Sequence, residues 1–367
     1  MKLFSERIRE VGIISIILII VFSNGLLFYF QNITEHDLRD SLFEEQKRLQ
    51  LQSTKEISQH IGSDIGLVLS MLDGLANSAF LQQGEMSGYN TKKLVEEKYA
   101  QFNKIIDRLF ILNKDNVMTI SLASPGSDTF LGSDFSYRDW VKETRNSLTP
   151  VFSNGFESLS IYRVFITIPV INRETNKYIG IVGTSILTEP FFARYGNIND
   201  VNSQSLMAFD KNGTLLAIGI NKNLVGENFF GDRVQQFINH NTVLNNLTLR
   251  LLNGNAGYAV YNYGTGESLT SGYPILVNAK PLYFIEIMTP TAQIYSKVNN
   301  VLSVQQVRMF SLFAVASTIA IVVLLILLSK WNIILRREVK RRTKELEESY
   351  DDMKQYLQTV LDEMKRR

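Results

Sequence analysis

Two uninterrupted apolar blocks frame the chain, and the stretch between them switches from helical to strand-like periodicity. The first block, VGIISIILIIVFSNGLLFYF over 11–30, lies in a run without charge from residue 11 to 34. The second, MFSLFAVASTIAIVVLLILLS over 309–329, stands between Arg308 and Lys330. A helix rises about 1.5 Å per residue and a bilayer's hydrocarbon core is about 30 Å thick, so each block is long enough to cross once. The exit of the first, FSNGLLFYFQN, carries no small-x-small cleavage pattern, which favours an uncleaved anchor over a removed signal segment.

Between the blocks, Ile57, Ile61, Ile65, Val68, Leu72, Leu75 and Ala79 recur at three- and four-residue steps. They predict one apolar face on a stalk helix over 34–82, ending near Gln83-Gly84 and packed on the domain or on a second copy. A further helix is expected near Lys92 to Arg108. The pattern then changes to short β-rich runs. RLFILNKDN and VMTISLAS read as a hairpin around Lys114-Asp115-Asn116, and IYRVFITIPVI and KYIGIVGTSIL as a second pair. SLMAFDKNGTLLAIGI is strand, Asp210-Lys211-Asn212-Gly213 turn and strand; AGYAVYNYG, SLTSGYPILV and LYFIEIMTP complete the series. The expected class is α+β: a distal lobe over about 92–190, a proximal lobe over about 204–290, and an exit helix over 291–308 entering the second span. FILNKDNVMTI and MAFDKNGTLLA open the two lobes alike, a weak internal repeat.

Charge sets the orientation. Lys330, Arg336, Arg337, Lys340, Arg341, Arg342 and Lys344 follow the second block against the single acid Glu338, whereas 291–308 hold only Lys297 and Arg308. Lys2, Arg7 and Arg9 precede the first block, and 31–45 hold only Arg39. Basic residues mark the cytoplasmic side. Residues 1–10 and 330–367 are therefore expected inside and 31–308 outside, with Trp331 at the interface. In the tail, Val339, Leu346, Tyr350, Met353, Leu357, Val360 and Met364 form a heptad seam that predicts a parallel homodimeric coiled coil. The rival is a lone amphipathic helix on the membrane or a partner.

The remaining chemistry is sparse. There is no cysteine, and the three histidines are His36, His60 and His240, so no cofactor or metal site is expected. A net charge of +2 gives no case for nucleic acid. No GxxxxGK[ST] phosphate loop occurs, and every histidine falls outside, where no cytoplasmic kinase core reaches it. The tail is too short for an output domain, which is absent, supplied by another chain or lost by truncation. Asn32, Asn212 and Asn246 open glycosylation sequons on the outer side.

DFSYRDWVKET with PVFSNGF after it, KYIGIVGTSIL, and AFDKNGTLLAIGINKNLVGENF with YFIEIMTPTAQIYSKVNNVL together resemble the double Cache family of extracellular sensor domains. The likeness spans nearly all of 31–308, and its first stretch is the specific one. It implies two PAS-like lobes behind a long helix. In the amino-acid-binding branch a distal-lobe Arg and Trp hold the ligand carboxylate, and these fall on Arg138 and Trp140. The following aromatic falls on Val141, a later Tyr on Phe156, and the Asp that holds the ammonium group on Ser185. A planar guanidinium and an indole N–H suit a carboxylate. The missing acid at Ser185 argues against α-amino acids. The competing reading of Arg138 and Trp140 is an ion pair with Asp139 or Asp134 and a core indole. Tyr137, Phe156 and Tyr162 are candidate pocket walls.

A transmembrane receptor sensing a small molecule, with a carboxylate the better fit, and driving a cytoplasmic coiled coil is the expected function. The alternative is a membrane-anchored partner subunit or envelope scaffold whose outer domain binds protein. A tethered enzyme is not expected, since no motif supplies nucleophile, base and oxyanion donors.

Overall fold

The computed structural model describes residues 2–123, 130–158, 161–196, 204–262, 264 and 266–366. Side chains at 2–21, 24, 27, 30–36, 363, 365 and 366 lie outside the described set, and with them most of the expected first span. The chain divides into two compact units, Met1–Val298 and Asn299–Arg367.

In the first unit, helix α1 (Lys2–Ala76) joins the expected span and stalk into one element. The first proline is Pro125, so no residue locks the backbone out of the helix over this length. α1 ends six residues short of the expected boundary, and a single turn, α2 (Ala79–Gln82), follows. Helix α3 (Tyr89–Phe102) also stops early, because Arg108 opens a strand instead of closing a helix.

Strands β1 (Arg108–Asn113) and β2 (Met118–Ala123) form the expected hairpin, and helix α4 (Asp139–Ser147) follows. Then come β3 (Val151–Phe152), β4 (Phe156–Ser158), β5 (Ile161–Asn172), β6 (Lys177–Leu187) and helix α5 (Thr188–Ala193). These strands make one antiparallel sheet in the order β2-β1-β6-β5-β3, with β4 also on β5.

The second sheet contains β7 (Ser205–Phe209), β8 (Leu215–Ile218), β9 (Gly257–Asn262), β10 (Glu267–Val277) and β11 (Lys280–Pro290) in the order β8-β7-β11-β10-β9. Both sheets place their opening hairpin at one edge and pair its first strand with the last strand of the set. The repeat glimpsed in two turns is thus a repeat of topology. Helices α6 (Asp232–Phe237) and α7 (Thr242–Leu252), absent from the sequence reading, cover one face of the second sheet.

The stripe on α1 is buried against both sheets: Ile57, Ile61, Ile65, Val68, Leu72 and Leu75 join one core with Ile111, Val182, Ile275 and Ile285. Polar contacts fix its register. Gln50 Nε2 donates to the carbonyls of Leu269 (3.1 Å) and Ile287 (2.8 Å), and Ser58 Oγ to that of Pro274 (2.6 Å). At Gly62 a Cβ would stand 2.5 Å from the Leu276 carbonyl oxygen, so helix and strand touch there only because the residue is glycine. His60 on the same helix is exposed.

Alternation along the first sheet sorts its residues. Leu109, Ile111, Val164, Ile166, Val182 and Ile186 face α1, while Phe110, Leu112, Phe165 and Ile181 face the opposite side with Trp140. In the second sheet the corresponding side is filled by Phe209, Phe229, Leu244, Leu247 and Leu251, leaving an apolar void of about 10 Å³. Within this packing Glu286 on β11 is fully buried. One carboxylate oxygen accepts from Thr248 Oγ1 at 2.8 Å, and the other has no partner.

Helix α8 (Thr291–Arg366) starts in the first unit, where Tyr295 stacks on Phe43 at 5.1 Å, and supplies the second unit. Among the described residues it is the one helix long and apolar enough to cross a membrane, and no side chain over 309–329 is buried. Of the expected seam, Leu346, Tyr350, Met353, Leu357 and Met364 are exposed.

Two outcomes follow from this packing. Gly62→Ala should lower the melting temperature of the full chain in detergent, at a cost of about 1–3 kcal/mol, since the added methyl meets rigid backbone. Burial pushes the Glu286 carboxyl up to about 8 from an ordinary 4.5. Between those values the folded state holds a proton that the unfolded chain has released, so stability falls as pH rises through the window. Glu286→Gln cannot ionise. The variant should melt progressively higher than the parent from about pH 5 to about pH 8, with the gap constant above that.

Candidate functional site

The side of the first sheet that faces away from α1 is a floor of alternate positions, even-numbered on β1 and odd-numbered on β5 and β6. Register places Arg108 of β1 opposite Ser185 of β6, and Ser185 opposite Phe165 of β5. Arg163 lies two residues before Phe165 and pairs with Phe156 of β4. Gly183 lets the floor pack closely, since a Cβ there would meet the Phe110 ring at 2.4 Å.

The opposite wall comes from 130–138 and the start of α4. Its backbone is tied to the first hairpin: Met118 N–H donates to the Ser133 carbonyl and Phe135 N–H to that of Asn116, each at 3.0 Å. Asp134 closes the turn, accepting from the Ser136 amide at 2.7 Å and the Ser136 hydroxyl at 2.9 Å. These bonds, the amide first, hold its carboxyl below the ordinary range. Helix α4 then docks on the sheet through the Thr144 and Thr167 hydroxyls, 2.6 Å apart.

Between wall and floor lies a cavity of about 140 Å³, lined by Arg108, Met118, Phe130, Ser133, Asp134, Phe135, Tyr137, Arg138, Trp140, Phe156, Ser158, Arg163, Phe165 and Ser185. A site for one water needs roughly 10–15 Å³ by this measure, so the cavity has room for a small organic molecule. Its surfaces are aromatic and its charged groups are mostly cationic, Arg108, Arg138 and Arg163 against Asp134.

Arg138 occupies the N-cap of α4, and its guanidinium stacks over the rings of Tyr137 (4.9 Å) and Phe156 (5.3 Å). It forms no hydrogen bond or ion pair with any described residue. Both expected acid partners are taken, Asp139 by Lys142 at 3.5 Å and Asp134 by Ser136. Trp140 is 5% exposed and stacked on Phe165 at 4.9 Å, yet its buried Nε1 has no acceptor among the described residues. Two donors without acceptors among the described residues therefore line one cavity. An unpaired buried donor is costly, and a bound oxyanion or water is the usual reason for one.

Five of the six sequence candidates, Arg138, Trp140, Tyr137, Phe156 and Ser185, line this cavity. Tyr162 does not. Strand alternation turns it to the other side of β5 from Arg163 and Phe165, where its hydroxyl donates to the Gly226 carbonyl at 3.3 Å. Val141 is buried in the surrounding core. The sequence reading missed Arg108, Arg163 and Asp107. Arg163 Nε donates to Asp107 Oδ2 at 3.0 Å, and Ser185 Oγ lies 3.2 Å from the same oxygen. No local motif signals this group, because 56 and 78 residues separate Asp107 from its two partners. Arg108 donates to Ser121 Oγ at 2.7 Å and stacks over Phe130. Among the described residues no cluster of three His, Asp or Glu is placed to hold a metal ion.

No protein-family model and no curated protein matches the chain. Solved structures do. The periplasmic sensory domain of the Campylobacter jejuni chemoreceptor Tlp1 matches with a TM-score of 0.55 at 13% identity, over 69% of this chain and 98% of that one. The ligand-binding domain of the Pseudomonas aeruginosa PAO1 amino acid chemoreceptor PctB, in complex with L-Arg, gives 0.53 at 14% identity over 69% and 98%. That of PctC from the same organism, in complex with GABA, gives 0.50 at 12% over 66% and 99%. At such identities the likeness is one of fold, and the fold is that of double Cache sensor domains.

The buried Arg163–Asp107 pair yields a stability outcome. Its side chains are only 9% and 7% exposed. Asp107→Ala should cost about 3–5 kcal/mol by leaving a guanidinium buried without its partner. Asp107→Asn, which keeps an acceptor for Arg163 and Ser185, should cost less in the same denaturant titration of the full chain.

Proposed function

We propose that this chain is a transmembrane receptor whose outer double Cache unit binds a small carboxylate in the cavity of its first sheet. The observation that carries the reading is the pair of donors without acceptors among the described residues, the Arg138 guanidinium and Trp140 Nε1, in one aromatic cavity. A guanidinium already flattened between two rings loses little freedom on taking up a carboxylate, and the indole adds a directed donor. The similar PctB and PctC domains are described in complex with L-Arg and GABA, both of which carry a carboxylate. An open cavity with unsatisfied polar groups favours a small ligand over the protein-binding scaffold. The site is read as a binding site, with no reaction assigned to it.

In this reading residues 11–30 and 309–329 cross the membrane, both termini are cytoplasmic, and 31–308 lie outside, in line with the basic residues after 329. Helix α8 begins where β11 ends and carries the heptad seam, so a change in the outer unit has a continuous covalent route to the tail. A parallel homodimer would bury Leu346, Tyr350, Met353, Leu357 and Met364, and would present the tail to a separate output protein. A ligand drives such a change only by binding two conformations unequally.

Melting of the full chain in detergent against a panel of small carboxylates tests the reading. A carboxylate at a hundredfold excess over its Kd should stabilise the outer unit by about 2.7 kcal/mol. Arg138→Ala, at a half-buried position without polar partners, should fold normally and abolish the shift. A folded protein that no small molecule stabilises would transfer the reading to a protein-binding subunit.

A further inference from the structure

Among the described residues two acids come near the cavity, Asp134 in its lining and Asp107 behind it. Asp134 stands at the exposed rim with both oxygens bonded to Ser136. Asp107 lies behind the floor, 7% exposed, with Oδ2 accepting from Arg163 Nε at 3.0 Å and from Ser185 Oγ at 3.2 Å. Arg163 is itself held in place by the carbonyls of Ser158 and Ile161, which fixes the pair from both ends. Ser185 and Arg163 line the cavity and Asp107 does not. At this end a ligand therefore meets a hydroxyl and a guanidinium, with the carboxylate screened behind them.

This arrangement decides what may accompany a carboxylate. An ammonium group brought into the cavity would give up its water and face the guanidiniums of Arg108, Arg138 and Arg163, with the rim carboxylate of Asp134, already bonded twice to Ser136, as the one acid among the described lining residues. A hydroxyl, a keto oxygen or a hydrogen would meet no such penalty, and a ligand hydroxyl would find Ser185 Oγ as an acceptor, its own proton being given to Asp107.

We infer that the cavity selects carboxylates without an ammonium group, plain, hydroxy or keto acids over α-amino acids, and that Arg163 sets this preference by withholding Asp107. The inference rests on the reading of the cavity as a carboxylate site. It departs from the amino-acid ligands of the similar PctB domain. Arg163 is a specificity residue, because it acts through the acid it engages as well as through its own charge.

The test uses full-length protein in nanodiscs carrying Trp331→Phe. Trp140 is then the sole tryptophan, since the chain has two, and its emission reports directly from the cavity wall. Matched pairs are titrated: 4-methylpentanoate with L-leucine, 3-phenylpropionate with L-phenylalanine, and glutarate with L-glutamate. In the parent, the plain acid of at least one pair should bind about tenfold or more tighter than its amino partner, a gap of about 1.4 kcal/mol. Arg163→Gln frees Asp107 and should shrink or reverse that gap. Adding Asp107→Asn to Arg163→Gln should remove the amino acid's gain, which a merely structural role for the pair would not do.

An amino acid that binds the parent as tightly as its plain partner overturns the inference and leaves the carboxylate site standing. So does a folded Arg163→Gln protein with an unchanged ratio. Silence of Trp140 toward every acid of both kinds overturns the carboxylate reading and the inference together. If Arg163→Gln fails to fold, the ratio in the parent still decides.

Discussion

The apolar stripe of α1 organises the first unit, because both sheets lay one face against it. Ile57, Ile61, Ile65, Val68, Leu72 and Leu75 lose their contact with water only when the two sheets stand side by side along the helix. Polar anchors at Gln50 and Ser58 and the close approach at Gly62 fix where the second sheet sits on it. One helix thus sets the inward face of each sheet. Strand alternation then sends every second residue to the other side, and the chemistry is confined to that side.

Two sheets of the same topology put that outer face to different uses. The second is packed with Phe209, Phe229, Leu244, Leu247 and Leu251 under α6 and α7, and burial there pushes the Glu286 carboxyl up to about 8. The first is only partly covered by α4, and the uncovered remainder is the cavity. The two regions share a connecting segment. Gly155 N–H donates to Asp210 Oδ2 at 3.1 Å, and the Tyr283 hydroxyl donates to the Ser153 carbonyl at 3.0 Å. Phe156, next to Gly155, walls the cavity, while Tyr283 lies on the strand that runs into α8. The segment that carries Phe156 is therefore hydrogen-bonded, three residues upstream at Ser153, to β11.

Within the cavity, aromatic rings do two jobs that one residue type performs well. They exclude water, and their faces support guanidinium groups without neutralising them. Arg138 rests over Tyr137 and Phe156. Arg163 is treated differently, with a carboxylate supplied from the floor. The contrast between Arg138, held by rings, and Arg163, held by an acid, gives the site its electrostatic character.

The sequence alone determined the elements whose signals are local. Apolar runs near 11–30 and 309–329, the three- and four-residue stripe on α1, and the Lys114–Asn116 and Asp210–Gly213 turns all act over a few residues. The same holds for Arg138 and Trp140, which share the first turn of α4 and so a common neighbourhood. Tertiary structure decided the rest. The parity of β5 gave the floor to Arg163 and Phe165 and turned Tyr162 away, a difference of one residue that no aromatic pattern reveals. Helices α6 and α7, with polar Asn and Gln between their apolar positions, declare themselves only against the sheet they cover. Asp107, Arg163 and Ser185 meet through the pairing of three strands. Their charges interact strongly because burial removes the water between them, and burial is a property of the assembled sheet, not of any segment.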